Sequence, residues 1–263
     1  TMPLTEFQRS ILLLLKAHRN PNSYGAGGVA IHRADDSIRH SHDVDFFHDT
    51  DEAVSAGSRS DLELLQRSGY NVELLIDQPG YVRAVVGRSE RSLKLEWARD
   101  TAFRFFPVLE DPDLGYRLHD VDLAVNKCLA LANRNEVRDI VDLLQLHDEV
   151  ITLSGACWAA CGKDPGFTPE LLLDCMRRNS IIRPEQLAAE SLTRPLSPPD
   201  LKRKWLALLA ATEGILRSLP AADLGCIYLD EKSQVPHSLH PDRLDSMHRH
   251  FGSVGGSWPR PAP

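Results

Sequence analysis

The sequence predicts an α+β fold, a mixed β-sheet with flanking helices followed by a helical half, and three observations carry that prediction. Stretches of period-two alternation gather between residues 43 and 98, helical periodicity dominates after residue 118, and a strand, a Gly-Gly turn and a short helix open the sheet region. The expected organisation is a sheet domain over 1–118, a helical domain over 119–251 and a flexible tail, GSVGGSWPRPAP, over 252–263.

Each element has a local reason. Residues 5–19 form a charged amphipathic helix whose apolar patch, ILLLL, is too short for a signal peptide. Thr1 ahead of Met2 is expected to be a cloning remnant. Ser23–Ala26 is a short strand running into Gly27-Gly28, and 29–34 a short helix. Asp43–His48 alternates polar and apolar residues as a half-buried strand does, and 52–68 is a helix stopped by Gly69. YNVELLI, YVRAVVG and SLKLEWA follow as strands, with Pro79-Gly80 turning the first into the second. Helical spacing then covers 119–132, 136–147, 168–178 and 199–217, and TRPLSPPD at 193–200 is a turn-rich connection. There is no internal repeat.

Composition narrows the class. At 263 residues the chain can bury a full core, and 42% apolar with 25% charged residues is ordinary for a soluble globular protein. No run nears the roughly 18 apolar residues that cross a bilayer, so no membrane partner is expected. Cys128, Cys157, Cys161, Cys175 and Cys226 include no CxxC pair, which argues against structural zinc and for free, mostly buried thiols in a reducing cytoplasm. The net charge of −7 argues against broad, non-specific nucleic-acid binding. Local basic density remains at Arg83, Arg88, Arg91 and Lys94 and at LKRK (201–204), and each taken alone reads as a solvated face.

The chemistry concentrates in YGAGGVAIHRADDSIRHSHDVDFFHD. Residues two apart on a strand point the same way, so Asp43 and Asp45 face together while Val44 and Phe46 face the core. Carboxylates placed so are costly unless a cation meets them, and they suit a hard divalent ion such as magnesium, with manganese the alternative. A lone D-x-D is common by chance; a Gly-Gly pair 15 residues ahead sharpens it. Gly27 and Gly28 either make a tight turn or let backbone amides at a helix start approach phosphate oxygens. A third carboxylate is available at Glu96, which shares a face with Lys94, opposite Leu93, Leu95 and Trp97. A cross-strand ion pair is its simpler role.

Taken with DLAVNKCLAL and NEVRDIVDLLQL, this segment resembles the AbiEii/MenT-like toxins of type IV toxin–antitoxin systems, within the DNA polymerase β-type nucleotidyltransferase superfamily. The shared pattern is GG-x-A, R-x-S-x-D-h-D, an isolated helical lysine and RD-h-x-D-h, spread over residues 23–147. Val29 departs from it, since several relatives carry threonine or a basic residue there. The resemblance implies a nucleotidyltransferase core over 1–118, with 119–251 completing the active site. It implies transfer of a nucleoside monophosphate from an NTP to an acceptor, with loss of pyrophosphate. The acceptor implied is RNA, specifically a tRNA 3′ end, and a cognate antitoxin is the implied partner. An aminoglycoside-like small molecule or a protein hydroxyl is the alternative acceptor.

Residue by residue, the resemblance puts magnesium on Asp43 and Asp45, with Glu96 completing the site or activating the acceptor. It puts Gly27, Gly28 and Ser41 at the phosphates. Lys127 lies on a helical stripe with Ala124 and Leu131 and either snorkels outward or meets an anion. The triphosphate calls for a cation there, and Arg39 is a second candidate. In the RD-h-x-D-h helix, Asp142 is favoured over Asp139 for orienting Lys127 or the acceptor, although Arg138 and Asp142 also suit a plain i,i+4 ion pair. A competing reading, a metal-dependent hydrolase built on His32, His40, His42 and His48, meets the objection that His42 and Asp43 point to opposite faces.

Overall fold

The computed structural model describes residues 4–34 and 36–259. The chain forms two compact units: residues up to Ala102 together with Pro107–His119, and Phe103–Phe106 together with the residues from Asp120 onward.

In the first unit, helix α1 (Glu6–Leu15) opens with a capping box, in which Thr5 and Gln8 each satisfy the other's backbone amide. It is shorter than the periodicity predicts. Lys16–His18 tightens into a 3-10 turn, and the extended backbone at Arg19 carries that side chain into the interior. Strand β1 (Ser23–Ala26) leads into α2 (Gly27–Ile31), then β2 (Asp43–His48) and α3 (Asp51–Arg67), which is capped by Thr50. The meander β3 (Asn71–Gln78), β4 (Tyr81–Arg88) and β5 (Arg91–Arg99) follows. After β6 (Phe103–Arg104), which belongs to the second unit, β7 (Leu109–Asp111) and β8 (Gly115–Arg117) complete a sheet ordered β3-β4-β5-β2-β1-β8-β7. β2 runs parallel to β5 and β1 parallel to β8, while the remaining pairs are antiparallel, so the sheet is mixed as expected.

The pleat sorts this sheet into two chemistries. Val44, Phe46, Val82, Ala84, Val86, Leu93, Leu95 and Trp97 are buried, with α3 packed over β4 and β5. The alternate positions are more open and carry Asp43, Asp45, Tyr81, Arg83, Lys94 and Glu96, half-buried, alongside apolar Phe47, Val85 and Ala98.

Beneath the apolar side lies a buried charge. Asp61 of α3 is fully buried and accepts from Trp97 Nε1 at 2.8 Å, and it also meets Arg19 and His18 Nδ1, the latter at 2.7 Å. The Arg19 guanidinium stacks 4.1 Å over the Phe46 ring. His48, on the buried side of β2, shares a hydrogen bond with Ser23 at 3.0 Å. Burial, reinforced by the Arg19 charge, lowers its pKa to about 4.

The second unit centres on α4 (Asp120–Asn133), packed by α5 (Val137–Glu149), α6 (Leu153–Lys163) and α7 (Pro169–Arg178). Helices α8 (Pro184–Ala189) and α9 (Pro198–Leu216) precede a hairpin of β9 (Cys226–Leu229) and β10 (His248–Phe251). Helix α6 escapes sequence periodicity because it is buried nearly all round, leaving no polar face to set a phase. Cys128, Cys157, Cys161 and Cys226 are buried and all five thiols are free.

The expectation of a loose tail from Gly252 needs correcting as far as Pro259. There β11 (Ser253–Val254) pairs with β6, the Ser257 amide bonds the Phe105 carbonyl at 3.2 Å, and Trp258 stacks near Phe106. The backbone pairing supplies what side-chain composition lacks. Residues 103–106 are held in turn by buried Asp122, which accepts from the amides of Phe105 at 2.8 Å and Phe106 at 3.0 Å. Burial outweighs those bonds and raises the Asp122 carboxyl to about 6. Among the described residues no helix is long and apolar enough to cross a membrane.

Two outcomes follow. Asp61→Ala leaves Arg19 buried without its carboxylate and is expected to cost about 3–5 kcal/mol in chemical denaturation. His48 enters the fold neutral with a depressed pKa, so its contribution is full above pH about 6.5 and drains as pH falls toward 4. Wild type should therefore lose stability over that window, and His48→Gln should flatten the slope between pH about 6.5 and 5.

Candidate active site

The polar face of the first unit is assembled from three strands in register. Asp45 pairs with Glu96 across β2 and β5, and Glu96 with Arg83 across β5 and β4; one pleat further, Asp43 pairs with Lys94. Because the partners are directly opposite, their side chains rise on the same side of the sheet. Asp43, Asp45, Lys94, Glu96, Arg83 and Tyr81 thus form one polar patch, each half-buried.

Gly27 and Gly28 border it for a steric reason. Gly27 has φ +63°, and a methyl group there would come within 2.1 Å of Asp45 Oδ2. A methyl on Gly28 would come within 2.8 Å of both Arg39 Nη2 and Ser41 Oγ. The glycines therefore bring Asp45, Arg39 and Ser41 close to the backbone. Helix α2 has five residues, so clearance accounts for the pair better than a macrodipole does. Arg39 is buried and donates to the His40 carbonyl at 3.3 Å. Ser41 Oγ donates to the Asp43 carbonyl at 3.0 Å, and Gln8 of α1 holds the Ser41 carbonyl at 2.8 Å.

The carboxylates are met by cations. Lys94 Nζ lies 2.8 Å from Asp43 Oδ2 and 3.5 Å from Glu96 Oε1. Glu96 also accepts from Tyr81 Oη at 2.8 Å and Arg83 Nε at 3.1 Å. Burial and this bond to Glu96 push the Tyr81 hydroxyl up to about 12. Among the described residues no group of three or more His, Cys, Asp or Glu side chains closes on a common point that could hold a metal ion. Asp43 and Asp45, hard oxygen donors on one strand face, fit a divalent cation. Glu96, expected as the third ligand, has both oxygens engaged.

Lys127 and Asp142 belong to the second unit and form their own cluster. Lys127 is buried rather than snorkelled, with its ammonium 2.7 Å from both Asp139 and Asp142. Arg134 grips Asp139 through contacts of 2.8 and 3.0 Å. Burial alone would raise the Asp139 carboxyl, but Lys127 and then Arg134 hold it below the usual range. Asp139, ranked second from the sequence, thus touches Lys127 as closely as Asp142 does. Arg138 lies 4.0 Å from Glu136.

Sequence reasoning passed over Lys94, Tyr81, Arg83 and Arg134 as site residues. The strand alternation that placed Lys94 beside Glu96 was the available signal; strand order supplied the rest. The histidines do not gather as a hydrolase centre would, since His48 points into the core and His42 is exposed.

No protein-family model and no curated protein sequence matches the chain. Solved structures do. JHP933 from Helicobacter pylori superposes over 81% of this chain and 95% of its own, with a TM-score of 0.51 and 16% identity. A Helicobacter pylori protein provisionally assigned as a nucleotidyltransferase covers 82% of this chain and 99% of its own, with a TM-score of 0.52 and 16% identity. MenT4, a nucleotidyltransferase toxin from Mycobacterium tuberculosis, aligns over 82% of this chain and 83% of its own at a TM-score of 0.47 and 18% identity. The first two likenesses establish the fold.

Gly27→Ala is expected to cost about 1–3 kcal/mol, combining strain at positive φ with the clash against Asp45, as read by thermal or chemical denaturation.

Proposed function

We propose that this chain is a divalent-metal-dependent nucleotidyltransferase that moves a nucleoside monophosphate from an NTP to RNA, with a tRNA 3′ end as acceptor, as the toxin of a type IV toxin–antitoxin pair. The observation that carries the reading is the placement of Asp43 and Asp45 on one face of β2, with Gly27 against the Asp45 carboxylate. The nucleotidyltransferase-like fold and the R-x-S-x-D-h-D order of Arg39, Ser41, Asp43 and Asp45 support it.

In this reading Asp43 and Asp45 hold the metal. When bound, magnesium would neutralise triphosphate charge and polarise the reacting phosphorus. Arg39 and Ser41, set close to Gly28, bind phosphate oxygens. Glu96 keeps the strand face charge-balanced and, released from a partner, takes the acceptor's proton. Lys127, which the resemblance assigns to the triphosphate, is held within the second unit by Asp139 and Asp142. The net charge of −7 keeps a second acceptor class, a polycationic aminoglycoside-like molecule, as the alternative.

Incubation with each labelled NTP, magnesium and total tRNA tests the proposal. Label on tRNA is expected, and Asp45→Asn should lower transfer by at least about a hundredfold with the circular dichroism spectrum unchanged. Label on an added aminoglycoside or on the protein alone would replace the acceptor assignment. Absence of transfer to every acceptor would overturn the enzymatic reading.

A further inference from the structure

Resting on the nucleotidyltransferase reading, we propose that Lys94 is the resident counter-cation of the carboxylate patch and sets its affinity for divalent metal by competing for Asp43. Three observations converge on this. Lys94 stands directly across from Asp43 in the parallel β2–β5 register, so the contact is built into the sheet rather than reached by a wandering surface side chain. Its ammonium lies 2.8 Å from Asp43 Oδ2, closer than to Glu96 at 3.5 Å. Glu96 has partners of its own in Tyr81 and Arg83, whereas Asp43 is one of the two carboxylates to which the proposed function assigns the metal.

The charges set up the competition: Lys94 and Arg83 are already seated among the carboxylates of Asp43 and Glu96 when a divalent ion arrives. A magnesium ion sits about 2.1 Å from each ligand oxygen. An ammonium bonded to that same carboxylate oxygen would then face a doubly charged neighbour at short range. For the ion to take that same oxygen, Lys94 gives up Asp43 Oδ2, and its flexible four-carbon stem allows that without moving β5. Arg83 sits one strand further away and keeps Glu96. The two positive side chains thus differ in kind: Lys94 occupies a ligand atom, whereas Arg83 contributes only its field.

Binding of Mn2+ to the full chain without nucleotide, followed by the loss of its free-ion electron paramagnetic resonance signal, separates these roles. Lys94→Met should tighten Mn2+ binding by about tenfold or more, and Arg83→Met by clearly less. Adding Asp45→Asn to Lys94→Met should abolish the gain, which locates the ion; circular dichroism verifies that each variant is folded. Measurable binding that is equal in wild type and Lys94→Met, or equal gains in both single variants, would overturn the role of Lys94 and leave the metal reading standing. Absence of binding in wild type and Lys94→Met alike would overturn both.

Discussion

The parallel pairing of β2 with β5 is the constraint from which the rest of the candidate site follows. Parallel neighbours need a crossover, and here α3 and the β3–β4 hairpin provide it before β5 returns beside β2. Once Asp45 is opposite Glu96, the pleat leaves no freedom. Asp43, Lys94 and Arg83 must rise on the polar side, while Val44, Phe46, Leu95 and Trp97 must sink into the core. A one-residue slip would bury the carboxylates and expose Trp97, so the hydrophobic core itself enforces the register.

That core is pinned from below by another carboxylate. Asp61 binds Trp97 from β5 and Arg19 from the end of the first helical segment, and Arg19 in turn covers Phe46 of β2. A buried ion pair is rarely a large net gain in stability. Here it ties the two central strands to α3 with directional bonds that apolar packing cannot supply. The sheet therefore carries ionic contacts on both sides: a buried set below, and above it a half-exposed set in which Lys94 and Arg83 meet Asp43 and Glu96.

The second unit repeats the theme in helices. Lys127 is held between Asp139 and Asp142, one turn apart on α5, with Arg134 balancing the extra charge. Asp122 serves backbone instead of side chains, holding the amides of Phe105 and Phe106 and thereby the short segment that β11 pairs with. Burial pushes both carboxyls up; Lys127 and Arg134 more than offset it at Asp139, whereas the bonds from the two amides offset it only in part at Asp122.

Much of this was legible in the linear chain, because strand alternation and helical spacing are local. The residues themselves determined that Ser23–Ala26 and Asp43–His48 are strands, that Asp43 and Asp45 share a face, and that Lys94 and Glu96 share another. They also marked Gly27 and Gly28 as special. The tertiary structure alone decided that those two faces coincide, since strand order depends on contacts between residues some fifty positions apart. It decided likewise that the glycines yield space to Asp45, Arg39 and Ser41, that Lys94 sits on Asp43, and that Asp139 equals Asp142 at Lys127. Periodicity tells a side chain which way to point; only packing between distant segments determines what it meets there.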